Sequence, residues 1–233
     1  MRTAEPLTLD GFQLKILAIL AMVLDHVGAV FFPTQILFRA AGRIAAPIMA
    51  FLIAEGYTKT RDVRRYMFRL LFFALASMLP YQWVFGSSPF NILFDLLLGL
   101  WAIDTAQKLH KDYQKWLLVL IVGCVAYLLK TDGSMGISTL VYLFYRYGKD
   151  RKKMAWAMSI LYLGWLGFAI VSNLIWGNAA LVTSPFFWLR PLSLMALPLV
   201  YRYNGQRGIG MKYFFYVFYP LHLLILYLLR GLL

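Results

Sequence analysis

Thiols are nearly absent from this chain of 233 residues: Cys124 is its one cysteine. No internal disulfide can form, and no cysteine-based metal cage can be assembled. Lying within an apolar run, Cys124 reads as a small core residue. Acidic side chains are also scarce, with 10 Asp and Glu against 23 Lys and Arg, which leaves a net charge of +13. Charged residues make up only 14% of the chain, where a soluble domain carries about a quarter. So little charge cannot cover the surface of a water-soluble globule. There is no repeat, no low-complexity tract and no long polar linker, so no separate soluble domain is expected. A basic chain raises the question of nucleic acid. Here the basic residues gather in short stretches between apolar runs, which suits membrane lipids and excludes a nucleic-acid partner.

What is abundant is apolar surface, at 61% of residues, including 17% aromatics. A bilayer is the solvent that tolerates this composition, and a helix needs about 20 residues to cross its hydrocarbon. Nine apolar runs are candidates: 12–31, 36–57, 66–85, 90–107, 114–130, 134–148, 154–176, 181–201 and 211–230. Their length and continuity argue for helices rather than a barrel. The fold class is therefore all-α: a polytopic membrane bundle forming one transmembrane helical domain over residues 1–233. No small-residue cleavage site directly follows the first run, so that run is expected to be kept.

Positive residues alternate between the connections. Lys59, Arg61, Arg64 and Arg65 follow the second run, and Lys108, Lys111 and Lys115 follow the fourth. Arg146, Lys149, Arg151, Lys152 and Lys153 follow the sixth, and Arg202, Arg207 and Lys212 the eighth. The intervening connections hold one lysine, Lys130. Because positive loops stay cytoplasmic, the N-terminus is expected inside and the C-terminus outside.

Against this background the ionisable residues within the runs stand out, since each costs at least about 2.5 kcal/mol at mid-membrane. At 1.5 Å per residue, His26 lies about 20 Å from the cytoplasmic end of the first run. Arg43 and Arg190 each fall about 12 Å below the outer ends of theirs. Asp95 is near the outer rim and His222 near the middle. These residues share one slab of the outer half, whereas scattered structural polar groups would have no reason to agree in height. Lys15 precedes His26 by eleven residues, or three turns plus about 20°, so the two share a helix face. Asp25 points about 100° away from His26, suited to orient another helix or to cap the outer end. Glu55, level with Lys15, is expected to pair with it. His110, in a basic connection, reads as merely solvated.

The segments LKILAILAMVLDHVG, GRIAAPIMAFLIAEGYTKTRDVRRYMFRL, NILFDLLLGL, YNGQRG and FYVFYPLHLL together resemble the TraX family of bacterial membrane proteins. That family is named for a conjugation protein that acetylates the N-terminus of pilin. It is similar in plan to transmembrane acyltransferases that share Lys or Arg, ten residues, then His on their first span. Lys15 and His26 match that spacing. The resemblance implies an acetyl-CoA-dependent acyltransferase, with His26 as catalytic base and Lys15 as a donor contact. Arg43 and His222 match family positions, and Asp25 and Arg190 join them as candidate catalytic groups. Arg61, Arg64, Arg65 and Arg69 are candidates for the donor's phosphates. No metal is expected. The acceptor would be a hydroxyl or amine of a glycan, a lipid or a pilin-like peptide. A proton-coupled transporter and an assembly subunit for a surface organelle stand as alternatives; the transporter would show repeat symmetry, which the sequence does not display.

Overall fold

The computed structural model describes residues 8–86, 90–176 and 183–232. Helix α1 (Gly11–Phe31) starts at Asp10, whose carboxylate accepts from the Gln13 backbone N–H at 2.8 Å while the Gln13 side chain accepts from the Asp10 N–H at 2.9 Å. This reciprocal cap satisfies two of the donors a helix start leaves open. Helix α2 (Ile36–Gly42) returns along α1, and α3 (Ala45–Lys59) continues it after a break at Arg43–Ile44. Pro47 explains the break: it has no N–H for the Arg43 carbonyl, and its ring crowds that carbonyl. The next pair repeats the device. Helix α4 (Val63–Ala76) and α5 (Met78–Phe85) meet at 42°, and Pro80 withholds its N–H from Ala76. Two sequence runs read as unbroken spans are thus broken helices.

Helices α6 (Ile92–Ala106), α7 (Asp112–Leu128), α8 (Ser134–Tyr147) and α9 (Arg151–Trp176) follow. A 3-10 helix, Pro185–Ala196, runs into α10 (Leu197–Val200), and α11 (Lys212–Leu232) closes the chain. The expected span 181–201 begins on residues outside the described set; the remainder is largely the 3-10 segment, which holds Pro185 and Pro191. Among the described residues there is no strand, only an isolated bridge between Leu9 and Tyr203.

Helices α6 and α8 form the centre. Their buried side chains, Leu96, Leu100 and Ile103 with Leu140 and Val141, have essentially no exposure. Helix α1 packs on α2, α3 and α11, while α11 also covers α4 and α5. The YNGQRG segment ties the bundle's two ends of sequence together. Asn204 N–H donates to the Leu9 carbonyl at 2.9 Å, and the Gln206 carbonyl accepts from Gly11 N–H at 2.8 Å.

Outward faces are apolar, with Leu120, Leu128, Phe168 and Leu174 more than half exposed, as a lipid-facing surface would be. Cys124 lies on that outward face, not in the core as its sequence context suggested; an apolar run in a membrane bundle has two apolar environments, and sequence alone does not separate them. Among the described residues four helical stretches are long and apolar enough to cross a membrane, Gly11–Phe31, Ile36–Lys59 (α2 and α3 taken together across their break), Arg151–Ile175 and Tyr213–Leu232, and the bent α4–α5 pair would make a fifth. Helices α6, α7 and α8 have 15, 17 and 14 residues, or about 21–26 Å at 1.5 Å per residue. They fall short of the roughly 30 Å hydrocarbon core.

Candidate functional site

Along α1 the residues Gly11, Lys15, Ala18, Met22, His26 and Ala29 recur every three or four positions and form one wall of a cavity of about 1150 Å³. This stripe covers eighteen steps, about 27 Å of helix. The cavity thus reaches both Lys15 and His26, which stand about 16 Å apart along the axis. Polar groups line it at the two ends, and Ala18, Met22 and Leu52 line it between.

At one end His26 is 8% exposed and its Nδ1 lies 2.8 Å from Nε2 of His222. The two rings lie nearly parallel, 13° apart with centroids 5.1 Å apart, as an in-plane contact between their nitrogens requires, and Phe85 meets His26 edge to face. His222 does not line the cavity; it stands behind His26, its own Nδ1 3.0 Å from the Phe218 carbonyl.

Asp25, one residue earlier, reaches α2. Its carboxylate accepts from Arg39 at 2.7 Å and from Arg43 at 2.9 Å. This contact depends on Gly42: a Cβ there would overlap the Asp25 side chain. Gly28 allows Phe38 the same close approach one turn on. The glycines draw α2 against α1, and the carboxylate then fixes both guanidiniums. Asp25 therefore orients another helix and does not cap its own.

Arg43, Arg190 and Asp132 also line the cavity. Arg190 stacks on Trp165, its guanidinium carbon 3.7 Å from the ring centroid, a cation–π contact. Asp132 comes from the connection between α7 and α8. It is exposed, yet the surface it shows is the cavity wall, and it is otherwise enclosed by protein. That burial pushes its carboxyl above the usual carboxylate range; the hydrogen bond from Tyr81 draws it down, Asp25 raises it, and Arg43 and Arg39 lower it. Asp95 is fully buried and accepts from Thr131 Oγ1 at 2.6 Å and from Gly133 N–H at 2.9 Å. It anchors the turn that presents Asp132.

At the other end, Lys15 Nζ sits 5.2 Å from the Phe215 ring centroid, with Arg207 on the same stretch of wall. The expected Lys15–Glu55 pair does not form: Glu55 is bound by Lys59 at 2.8 Å, one turn along its own helix. Lys59 also donates to Tyr203 Oη at 2.8 Å. Of the four candidate phosphate arginines, only Arg69 lines the main cavity. Its Nε is buried without a partner among the described residues. Arg64 and Arg65 line a shallower hollow that shares Arg69, and Arg61 lines neither.

Sequence patterns do not single out Arg39, Asp132 or Arg207 as site residues. Arg39 was available as the partner of Arg43 at four-residue spacing. Asp132 carries no local signal, because its place depends on how α7 and α8 pack. Among the described residues no three His, Cys, Asp or Glu side chains gather in a way that could hold a metal ion.

A family model described as TraX protein matches residues 10–230. The chain belongs to the TraX family. It is also 27% identical, over 241 aligned residues, to the probable fimbrial assembly protein FimC, serogroup H1, of Dichelobacter nodosus. That alignment covers 93% of this chain and 94% of the relative. No solved structure matches the chain. This member of the TraX family is thus a helical membrane protein with a deep polar-ended cavity.

Proposed function

We propose that this protein is an integral-membrane acetyltransferase that moves an acetyl group from cytoplasmic acetyl-CoA to a hydroxyl or amine near the outer face. In this reading residues 1–233 act as one transmembrane helical domain, its nine apolar runs packed as one bundle in the bacterial inner membrane, N-terminus cytoplasmic. The Lys15 end is then the inner mouth, which agrees with the positive-inside rule. The observation that carries the reading is that His26 is sheltered from lipid while lining the same cavity as Lys15.

The donor's phosphates would meet Lys15, Arg207 and Arg69 at the inner mouth, where guanidinium and ammonium groups suit phosphate. The pantetheine arm would follow the apolar middle of the cavity, and the thioester would reach His26. His26 Nε2 removes the acceptor's O–H or N–H proton as the oxygen or nitrogen attacks the thioester carbonyl. The oxyanion collapses, the carbon–sulfur bond breaks, and the same proton passes to the sulfur to give the CoA thiol. Arg43, held by Asp25, and Arg190, held over Trp165, are the cations that would stabilise the oxyanion in a site of low dielectric. A two-step route through an acetylated His26 uses the same groups.

The acceptor classes are a glycan, a lipid or a pilin-like peptide, and the relative's name as a fimbrial assembly protein favours the last. That name also supports a second reading, an assembly subunit without catalysis. The two separate on one experiment. Purified protein in lipid nanodiscs is given radiolabelled acetyl-CoA and a panel of acceptors, with His26→Ala alongside. Transfer by the wild type and loss in the variant supports the enzyme; no donor binding, or full activity in the variant, ends it.

A further inference from the structure

Two histidine rings in contact must share their protons unequally, and the structure says how. His222 Nδ1 lies 3.0 Å from the Phe218 carbonyl oxygen. A carbonyl only accepts, so that nitrogen carries a hydrogen. His222 is 6% exposed among Phe218 and Tyr219, and no ion pair with a carboxylate involves it among the described residues. A cationic ring there would be an uncompensated buried charge. In the neutral ring Nε2 is therefore the lone-pair nitrogen. It faces His26 Nδ1 at 2.8 Å, so His26 Nδ1 must be the donor. The remaining lone pair of the pair then sits on His26 Nε2, which takes no hydrogen bond from any described residue. His26, and not His222, lines the cavity.

We propose that His222 is a positioning residue: through the chain Phe218 carbonyl, His222, His26, it holds the His26 proton on Nδ1 and presents a bare Nε2 to the cavity. This rests on His26 being the base. Free histidine in water favours the opposite tautomer, so without His222 the ring would more often turn its N–H toward the substrate and could not accept a proton. The arrangement does the work of the carboxylate behind many catalytic histidines, with a neutral acceptor instead. It also ends at a backbone carbonyl, which cannot take a proton onward. The proton that His26 accepts at Nε2 thus leaves from Nε2, to the departing sulfur, and is not conducted through the dyad.

The chain has three histidines, His26, His110 and His222, which makes the test simple. Uniformly 15N-histidine-labelled protein carrying His110→Asn leaves two rings to assign in nanodiscs. Long-range 1H–15N correlations should show both His26 and His222 protonated on Nδ1 and bare on Nε2. A His26 ring protonated on Nε2 overturns the proposal whatever the activity, and requires no further variant. His222→Phe keeps a ring but offers no acceptor, and should shift His26 toward Nε2–H. It should also lower kcat about 10–100-fold with the KM for acetyl-CoA unchanged. His222→Gln, which returns an acceptor oxygen near the place of Nε2, should recover most of both. An unchanged His26 tautomer in His222→Phe overturns the proposal. If the tautomers are as described while His26→Ala keeps full transfer, the dyad stands and the reading of His26 as base fails.

Discussion

The cavity's two ends are both polar, yet they are built differently. Around His26 the polar groups lock one another: Asp25 holds Arg39 and Arg43, His222 holds His26, and Asp95 anchors the turn that bears Asp132. These bonds join α1 to α2, α1 to α11, and α6 to the α7–α8 connection. Around Lys15 the cations rest on aromatic rings or on a partner one turn away, as in Lys59–Glu55, with Lys59 also donating across to Tyr203 Oη. Interlocked groups keep a geometry fixed, which transition-state stabilisation requires. Loosely held cations can follow and release a charged ligand. The contrast fits chemistry at one end and donor exchange at the other.

Breaking the locked end should have the largest effects. His26→Ala should lower acetyl transfer about 10²–10⁴-fold while acetyl-CoA still binds, as measured by single-turnover kinetics and by equilibrium binding. Asp25→Asn leaves two guanidiniums without their anion. The group is only partly enclosed, at 15% exposure, so the loss should be about 3 kcal/mol, at the low end of the range for breaking a buried pair. Thermal unfolding in detergent, compared with Gly42→Ala, checks this; the alanine should cost about 1–3 kcal/mol by pushing α2 off α1.

Changes at the exchange end should be milder and should fall on binding. Lys15→Ala should raise the KM for acetyl-CoA about tenfold with little change in kcat, and added salt should shrink the difference. Arg69→Ala should behave in the same way, whereas Arg61→Ala should not, since only the former lines the cavity. The smallest effect concerns pH. The Asp132 carboxyl titrates above its unfolded value near 4. Its contribution to stability is therefore full below about pH 4 and is lost as pH rises through the raised value. Melting temperatures of the wild type and Asp132→Asn across that range should diverge in this sense, the variant lacking the decline.

The same contrast decides what could be read in the sequence. Helix content and the positions of most segments follow from apolar runs and caps such as Asp10. The shared face of Lys15 and His26 follows from helical geometry. The gathering of His26, Arg43 and Arg190 was legible as a common depth. Which side chains bond across helices was not. Glu55 took Lys59, because a neighbour one turn away on the same helix needs no tertiary alignment, while Lys15 lies on another helix. The fracture at Arg43 was written in Pro47, but a hydropathy run passes over a proline. Asp132 and the His26–His222 contact join residues far apart in sequence, and no local pattern encodes such distances. Cys124 shows the converse: two apolar surroundings look alike in one dimension.

The most direct measurement concerns the passage between the two ends. In a Cys124→Ala background, Met22→Cys places one thiol on the cavity wall between Lys15 and His26. Its rate of modification by a small water-soluble maleimide is followed with and without acetyl-CoA in nanodiscs. If the donor threads the cavity, saturating acetyl-CoA slows the reaction severalfold, and Lys15→Ala raises the concentration needed. A thiol that reacts equally fast with the donor present would contradict the passage, and with it the acetyl transfer proposed at His26.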